Sequence, residues 1–350
     1  MKNKFFKNFS MGLIGMILAV FSYTTIFAAE YTPPVVQTSN LKYSYAQMEQ
    51  DLETLKTLYP DKIQTNVLAV TADSRNVIEV ILGDTDASHH ILIQSTIHAR
   101  EYMNTVLAMN QIEDFLRYSE TKKYEGFTWA ELFQDVCLHV IPMVNPDGVV
   151  ISQEGLNSIQ SEELREILTA CYENDLASGK TSADMDSYFR TWKANARGVD
   201  LNRNFDSGWD EYVGANAPST DCYKGEYPAS EIETQAILSI AEKYPLDCCI
   251  AYHSYGNLIY WDYGSQGEIF QKDQSLANVI AAETQYPLHS TVASATDAAG
   301  CSDYFVLELQ IPAVTIENGG TNCPLPIEEY QPMYQRNHNL WAALAYFYTR

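Results

Sequence analysis

Apolar positions along this chain follow two spacings. Residues Tyr45 to Leu58 repeat at helical intervals, while Asn66 to Thr71 and Asn76 to Leu82 read as short strands rich in Val and Ile. Ile91-Leu92-Ile93 forms a near-continuous apolar run, the pattern of a central strand buried on both faces. A helix is expected over Asn104 to Tyr118, further central strands over Cys137 to Val144, Cys248 to Tyr252 and Ala313 to Ile316, and helices near Glu231 to Lys243 and Ser275 to Glu283. Strands alternating with helices predict an α/β sheet flanked by helices, with chemistry gathered in loops at strand ends. Val149 to Tyr188 stands apart. It is polar, holds an acidic helical piece around Ser161 to Asn174, lacks a core-like apolar run, and is expected to be a surface excursion. No Gly/Ser/Pro-rich linker or repeat follows about residue 40, so one domain is expected.

The N-terminus has its own pattern. Lys2, Lys4 and Lys7 precede an apolar run from Met11 to Val20, and small residues close the segment at Ala28-Ala29. That order reads as a signal peptide over residues 1–29, followed by a short extension over 30–42. An uncleaved anchor is the weaker reading, because the run falls short of the ~20 residues a bilayer span needs. No later stretch is apolar enough to span a membrane, which points to a secreted or cell-wall-associated protein. The 45 acidic against 22 basic residues, a net charge of −23, exclude nucleic acid and anionic membrane surfaces as partners. Seven cysteines lie beyond the signal segment, none in Cys-x-x-Cys spacing. Cys248 and Cys249 read as buried thiols, and Cys171 with Cys222 is the pairing expected if a disulfide exists.

Candidate chemistry sits just past the apolar runs. His98 and Glu101 in His98-Ala99-Arg100-Glu101 are three residues apart and share a face if they begin a helix or turn. Surface pairs of that spacing are common, so the argument depends on a third ligand, His253, at the end of the Cys248 to Tyr252 run. Two histidines and a carboxylate leave one zinc position open for water, as in a catalytic site. Such a water needs a base, and Glu317 ends the Ala313 to Ile316 strand. A carboxylate leaving a buried strand is costly unless paired or used. In Gly198-Val199-Asp200-Leu201-Asn202-Arg203-Asn204-Phe205, an arginine beside two amides can grip a substrate carboxylate with its planar fork. Asn145-Pro146-Asp147-Gly148 reads as a turn and no more.

In this order, from about Tyr43 to the C-terminus, these motifs resemble the zinc metallocarboxypeptidases of the carboxypeptidase A-like family. The resemblance implies a single-domain eight-stranded mixed sheet flanked by helices, a carboxypeptidase domain over residues 43–350, and one zinc ion per chain held by His98, Glu101 and His253. It implies Glu317 as general base to a zinc-activated water and as proton donor to the leaving amine. Asp200 matches a carboxylate that orients the first zinc histidine. Asn202 and Arg203 match the clamp on the substrate's free carboxylate, and Arg100 and Tyr255 match subsites further along the cleft. Lys193 falls where the family has an oxyanion-stabilising arginine, and lysine supplies the charge without the fork.

Departures from the family pattern bear on specificity. Counting back from Glu317 puts Asp303 on the family's aspartate and Ser302 at the base of the specificity pocket, where neither an acid nor a large aliphatic is found. The count reaches Ala295 where digestive members carry a mobile tyrosine. The expected activity is a secreted metallocarboxypeptidase acting on the C-terminal bond of peptides or proteins. The alternative is a murein peptide hydrolase cutting the γ-D-glutamyl–diaminopimelate bond, since Trp192-Lys193-Ala194-Asn195 leading into Gly198-Val199-Asp200 resembles bacterial members of that kind. A non-catalytic binding protein of the same fold is a third reading.

Overall fold

The computed structural model describes residues 33–39, 42–291, 294 and 296–350, so the expected signal segment and Ala295 lie outside the described residues. Eight strands form one mixed sheet: β1 (Gln64–Val70), β2 (Asn76–Leu82), β3 (His89–Ser95), β4 (Val136–Ile141), β5 (Leu246–His253), β6 (Leu258–Tyr260), β7 (Leu288–His289) and β8 (Ala313–Glu317). Their spatial order is β1-β2-β4-β3-β5-β8-β6-β7. The centre, β4-β3-β5-β8, is parallel, and β2 on one side and β6 on the other pair with it in antiparallel fashion. This is the mixed, helix-flanked sheet that the resemblance implied.

The central strands are apolar because helices cover both faces. Every residue of β4 is buried, as are those of β3 beyond His89. One face packs under α1 (Tyr45–Leu58) and α2 (Met103–Tyr118), joining a cluster that includes Leu52, Ile93, Leu107 and Trp341. α1 begins at Ser44, whose Oγ accepts the Gln47 N–H at 3.2 Å.

Two expectations need correction. The Asn145 motif does more than turn the chain: it opens α3 (Pro146–Glu154), with Asn145 Oδ1 accepting the Gly148 N–H at 3.0 Å. Asn145 Nδ2 donates to the carbonyls of Ile97 and Ala194, both at 3.1 Å, and so ties two loops together. A Cβ on Gly148 would stand 2.5 Å from Asn145 Oδ1 and 2.6 Å from the Ala194 carbonyl, so only glycine fits. Asp147, buried, pairs with Arg75 at 2.8 Å. The Val149 to Tyr188 stretch is likewise no mere surface excursion. It forms the end of α3, α4 (Glu162–Ala177) and most of α5 (Met185–Arg190), with a core of its own built from Ile151, Ile159, Leu164, Leu168, Cys171, Tyr188 and Phe189 against Trp192. Leu164, Leu168 and Cys171 lie at i, i+4 and i+7 on one helix face, so a sparse apolar pattern suffices to bury that face.

Besides a single helical turn over Trp129–Leu132, the remaining α-helices are α6 (Ile232–Lys243), α7 (Gly267–Thr284), α8 (Cys301–Leu307), α9 (Tyr330–Asn337) and α10 (Leu340–Thr349). No helix among the described residues is long and apolar enough to cross a membrane. The Cys171–Cys222 disulfide is absent, and all seven cysteines are free thiols. Cys171 points into the α4 core, while the Cys222 thiol is engaged with Tyr212.

Candidate active site

β3 ends at Ser95, and Thr96 turns the chain with a left-handed φ of 59°, an unusual conformation for a β-branched residue, its Oγ1 2.8 Å from Thr105 Oγ1. A single 3₁₀ turn over Ala99–Glu101 follows, held to a neighbouring loop by Ala99 N–H donating to the Lys193 carbonyl at 3.0 Å. The turn brings His98 and Glu101 to one side. His253 arrives from the end of β5, the neighbour of β3. The parallel register of β8 on β5 sets Glu317 opposite His253. Three strands and one turn thereby deliver four titratable groups to the same edge of the sheet.

His98 Nδ1 lies 2.9 Å from Glu101 Oε1 and 3.1 Å from His253 Nδ1, and His253 Nδ1 lies 3.4 Å from Glu101 Oε2. All three residues are buried and form a group able to hold a metal ion. Burial, followed by the Lys193 charge, lowers the His98 pKa. Burial alone would raise Glu101, yet the two histidines hold it well below the usual carboxylate range. His253 is raised despite its burial, through its hydrogen bond to Glu101. Two ring nitrogens and a carboxylate facing one another repel unless a proton or cation lies between them. The donor set therefore fits zinc, with nitrogen and oxygen ligands of the type zinc takes.

Behind this group lies Asp200. Its Oδ1 is 3.3 Å from His98 Nε2 and its Oδ2 is 3.4 Å from Lys193 Nζ, while the Cys222 N–H donates to Oδ2 at 3.0 Å. Against the effect of burial, Lys193 and His98 keep its carboxyl well below the usual range. A fully buried carboxylate on the far nitrogen of a ligand histidine fixes its tautomer.

In front lies a cavity of 230 Å³ lined by His98, Lys193, Asn202, Arg203, His253, Tyr260, Tyr263, Thr291, Asp297, Ser302, Asp303, Thr315 and Glu317. Burial pushes the Glu317 carboxyl up to about 7, against the opposing effect of His253, and its Oε2 has no hydrogen-bond partner. Asn202 Oδ1 accepts the Cys301 N–H at 2.9 Å, which leaves its Nδ2 donors for a ligand. Arg203 is held by its own turn, Nη1 donating to the Asn202 carbonyl at 2.7 Å, and Nη2 reaches Asp297 at 3.3 Å. Ser302 and Tyr263 both bond to Thr315 Oγ1 at 2.9 Å, so hydroxyls form the deep wall. Burial pushes the nearby Asp303 carboxyl up to about 6. Among the described residues, no aliphatic side chain lines the cavity.

His98, Lys193, Asn202, Arg203, His253, Ser302 and Glu317 thus share one cavity, with Glu101 and Asp200 adjoining it. Arg100 and Tyr255 do not line it: Arg100 Nη1 donates to the Thr191 carbonyl at 3.2 Å, and Tyr255 is half exposed. Sequence reasoning missed Tyr260, Tyr263, Thr291, Asp297 and Thr315. Thr315 alone had a signal, lying two residues before Glu317 and hence on the same face of β8.

A model described as zinc carboxypeptidase matches residues 48–339. Gamma-D-glutamyl-L-diamino acid endopeptidase 1 of Lysinibacillus sphaericus is 28% identical over 307 residues, covering 87% of this chain and 72% of that protein. Carboxypeptidase B of Astacus astacus is 24% identical over 273 residues, covering 75% and 80%. Among solved structures, the carboxypeptidase A from Helicoverpa armigera superposes with a TM-score of 0.66 at 17% identity, covering 92% of this chain and 78% of that one.

Proposed function

The chain belongs to the zinc carboxypeptidase family of metallopeptidase hydrolases, and from that premise we propose that it hydrolyses the amide bond preceding a residue with a free carboxylate. His98, Glu101 and His253 would hold the zinc ion. When bound, zinc supplies Lewis-acid polarisation of the scissile carbonyl and a lowered pKa for water. Glu317 takes the proton of the attacking water and passes it to the leaving amine. Its unpartnered Oε2 beside His253 is the observation that carries this reading, since a buried carboxylate with a free oxygen is costly unless it has a proton to handle. Arg203 and the Nδ2 donors of Asn202 bind the substrate carboxylate, which fixes the distance from the substrate terminus to the cleaved bond. Lys193 lies on the cavity wall near His98 and balances the negative charge that develops on the carbonyl oxygen.

The cavity chemistry favours a second reading of the substrate. Hydroxyls from Ser302, Thr315 and Tyr263 with the acids Asp297 and Asp303 suit a side chain that ends in polar or charged groups, and among the described residues no aliphatic side chain joins them. A diamino acid meets that description, and the Lysinibacillus relative is named for cleaving before one. The basic, apolar, small order of residues 1–29 supports export.

Purified protein offered C-terminally varied peptides and γ-D-glutamyl–diamino acid peptides, with released residues identified by mass spectrometry, tests both readings. Release of a terminal diamino acid or basic residue is expected. Release of only Leu or Phe sinks the polar-pocket argument, and no hydrolysis of either set by zinc-loaded protein sinks the reaction.

A further inference from the structure

A second cluster of metal-binding side chains lies at the opposite edge of the sheet. His90 is near the start of β3, Cys137 faces it in the parallel register of β4, and His139 follows two residues later on the same face. One nitrogen from each ring and the Cys137 sulfur all lie within 4.8 Å of one another, and all three residues are buried. His90 Nδ1 and His139 Nε2 are 3.0 Å apart. The other nitrogen of His139, Nδ1, is 2.7 Å from Glu79 Oε1 on β2, and Asn66 Nδ2 on β1 donates to Glu79 Oε2 at 2.9 Å.

The carboxylate settles which nitrogen of His139 carries the proton. With Nδ1–H donated to Glu79, Nε2 presents its lone pair to His90 Nδ1, in the group that includes the sulfur. Carboxylates orient metal-binding histidines in this way, and Asp200 stands in the same relation to His98 in the first site. The Tyr244 ring covers the cluster, 4.1 Å from the ring of His139 and 5.2 Å from that of His90. None of these groups reaches the cavity at the other end. From His90 to Ser95, β3 runs roughly 17 Å at ~3.3 Å per residue before the turn that carries His98.

We propose that His90, Cys137 and His139 form a second metal site, for a borderline-soft divalent cation of the zinc type, that staples β3 to β4 and, through Glu79, to β2. Two imidazoles and a thiolate select zinc or cobalt over calcium or magnesium, which require oxygen ligands. Three protein ligands leave one position for water. On binding, the His90 proton resides on Nε2, the Cys137 thiol proton leaves to solvent, and the sulfur and two nitrogens each donate a lone pair. One proton is released per cation, and no electron moves. Access is short, because Ser88 is exposed and the side chains of His89 and Asp247 beside His90 are 27% and 26% exposed.

Protein stripped by chelator and titrated with Co²⁺ tests the site separately from the first. In an H98A/H253A background, which lacks the proposed catalytic ligands, one cobalt per chain is expected. It should show a thiolate-to-cobalt charge-transfer band in the near ultraviolet, which nitrogen and oxygen ligands do not give. Adding Cys137→Ser should abolish that band. Because that change falls within a packed strand, His139→Gln is made in parallel, and near-ultraviolet circular dichroism identifies which variants are folded; a folded H139Q chain is expected to bind cobalt at least tenfold more weakly. Folded H98A/H253A protein that takes up no cobalt, or takes it up without the thiolate band, overturns the proposal.

Discussion

The two ends of β3 gather similar residues for different purposes. At each end, two buried histidines meet a third ligand across neighbouring parallel strands, and a buried carboxylate lies beside a ring nitrogen of one of them. At the C-terminal end the loops diverge into a 230 Å³ cavity, and His253 Nε2 and Glu317 Oε2 are buried without partners. At the N-terminal end Tyr244 lies over the rings, and both nitrogens of His139 are engaged. The difference is in satisfaction rather than in composition. Unpartnered polar atoms beside open space are free to bind and react, whereas the same atoms in a closed network hold strands together.

Substitutions should therefore separate activity from stability. Glu317→Gln is expected to lower kcat about 10²- to 10⁴-fold while leaving zinc content and thermal stability unchanged or slightly raised, because it removes a buried unpartnered carboxylate. Metal analysis, steady-state kinetics and a melting curve on one preparation check this, and a variant with substantial activity would remove Glu317 from the reaction. Tyr244→Ala at the other end should cost about 2 kcal/mol of stability through lost stacking and burial, with kcat/KM of the folded enzyme unchanged. Denaturant midpoints beside assays at low temperature measure it. A large loss of activity without a loss of stability would show that the two ends are not separate.

Arg203→Lys examines the open end more finely. The charge stays, but the fork that faces both Asp297 and the cavity is lost, so kcat/KM should fall about 10- to 100-fold, mostly through KM. A fall confined to kcat would place Arg203 with the oxyanion instead of the substrate carboxylate.

How much of this could be read from the sequence followed the range of each interaction. The buried strands announced themselves: Ile91-Leu92-Ile93 lies at the sheet centre, and Asn76 to Leu82 matches β2. His98 and Glu101 were legible because one turn brings them together. Helix α7 was foreseen only from Ser275, although it starts at Gly267, because its buried face includes Asp273, whose carboxylate accepts the Ala313 N–H at 3.1 Å. A charged residue on the inner face breaks the apolar pattern that periodicity depends on. Tyr263, Asp297 and Thr315 line one cavity only because β6 folds back beside β8 and β7 beside β6, and no local spacing encodes that order. The His90 cluster depends on the register of two parallel strands about 50 residues apart in sequence, which is equally silent in the pattern.

A third carboxylate environment gives the most graded effect. Behind the Lys193 loop, Glu233 is buried near Glu231 and Asp147, and Asn195 Nδ2 donates to Glu231 Oε2 at 2.8 Å. Burial first, then Glu231, pushes the Glu233 carboxyl from 4.5 up to about 8. The folded chain thus retains a proton that the unfolded chain has released above about pH 4.5. The stability this provides is complete below that pH and is lost as pH rises towards about 8, at roughly 1.4 kcal/mol per unit crossed. Glu233→Gln keeps the shape and hydrogen-bonding capacity of the protonated acid and has nothing to titrate at that position, so its urea midpoint should fall less steeply than the parent's across this window, the remaining slope coming from other raised carboxyls such as Glu317 and Asp303. Burial raises both acids, but Glu233 does not line the cavity that Glu317 faces, so the substitution should leave kcat unchanged at the low end of the window. An equal decline in both proteins would mean that Glu233 is ionised in the fold, and the contrast between a carboxylate kept for chemistry and one kept for packing would then rest on Glu317 alone.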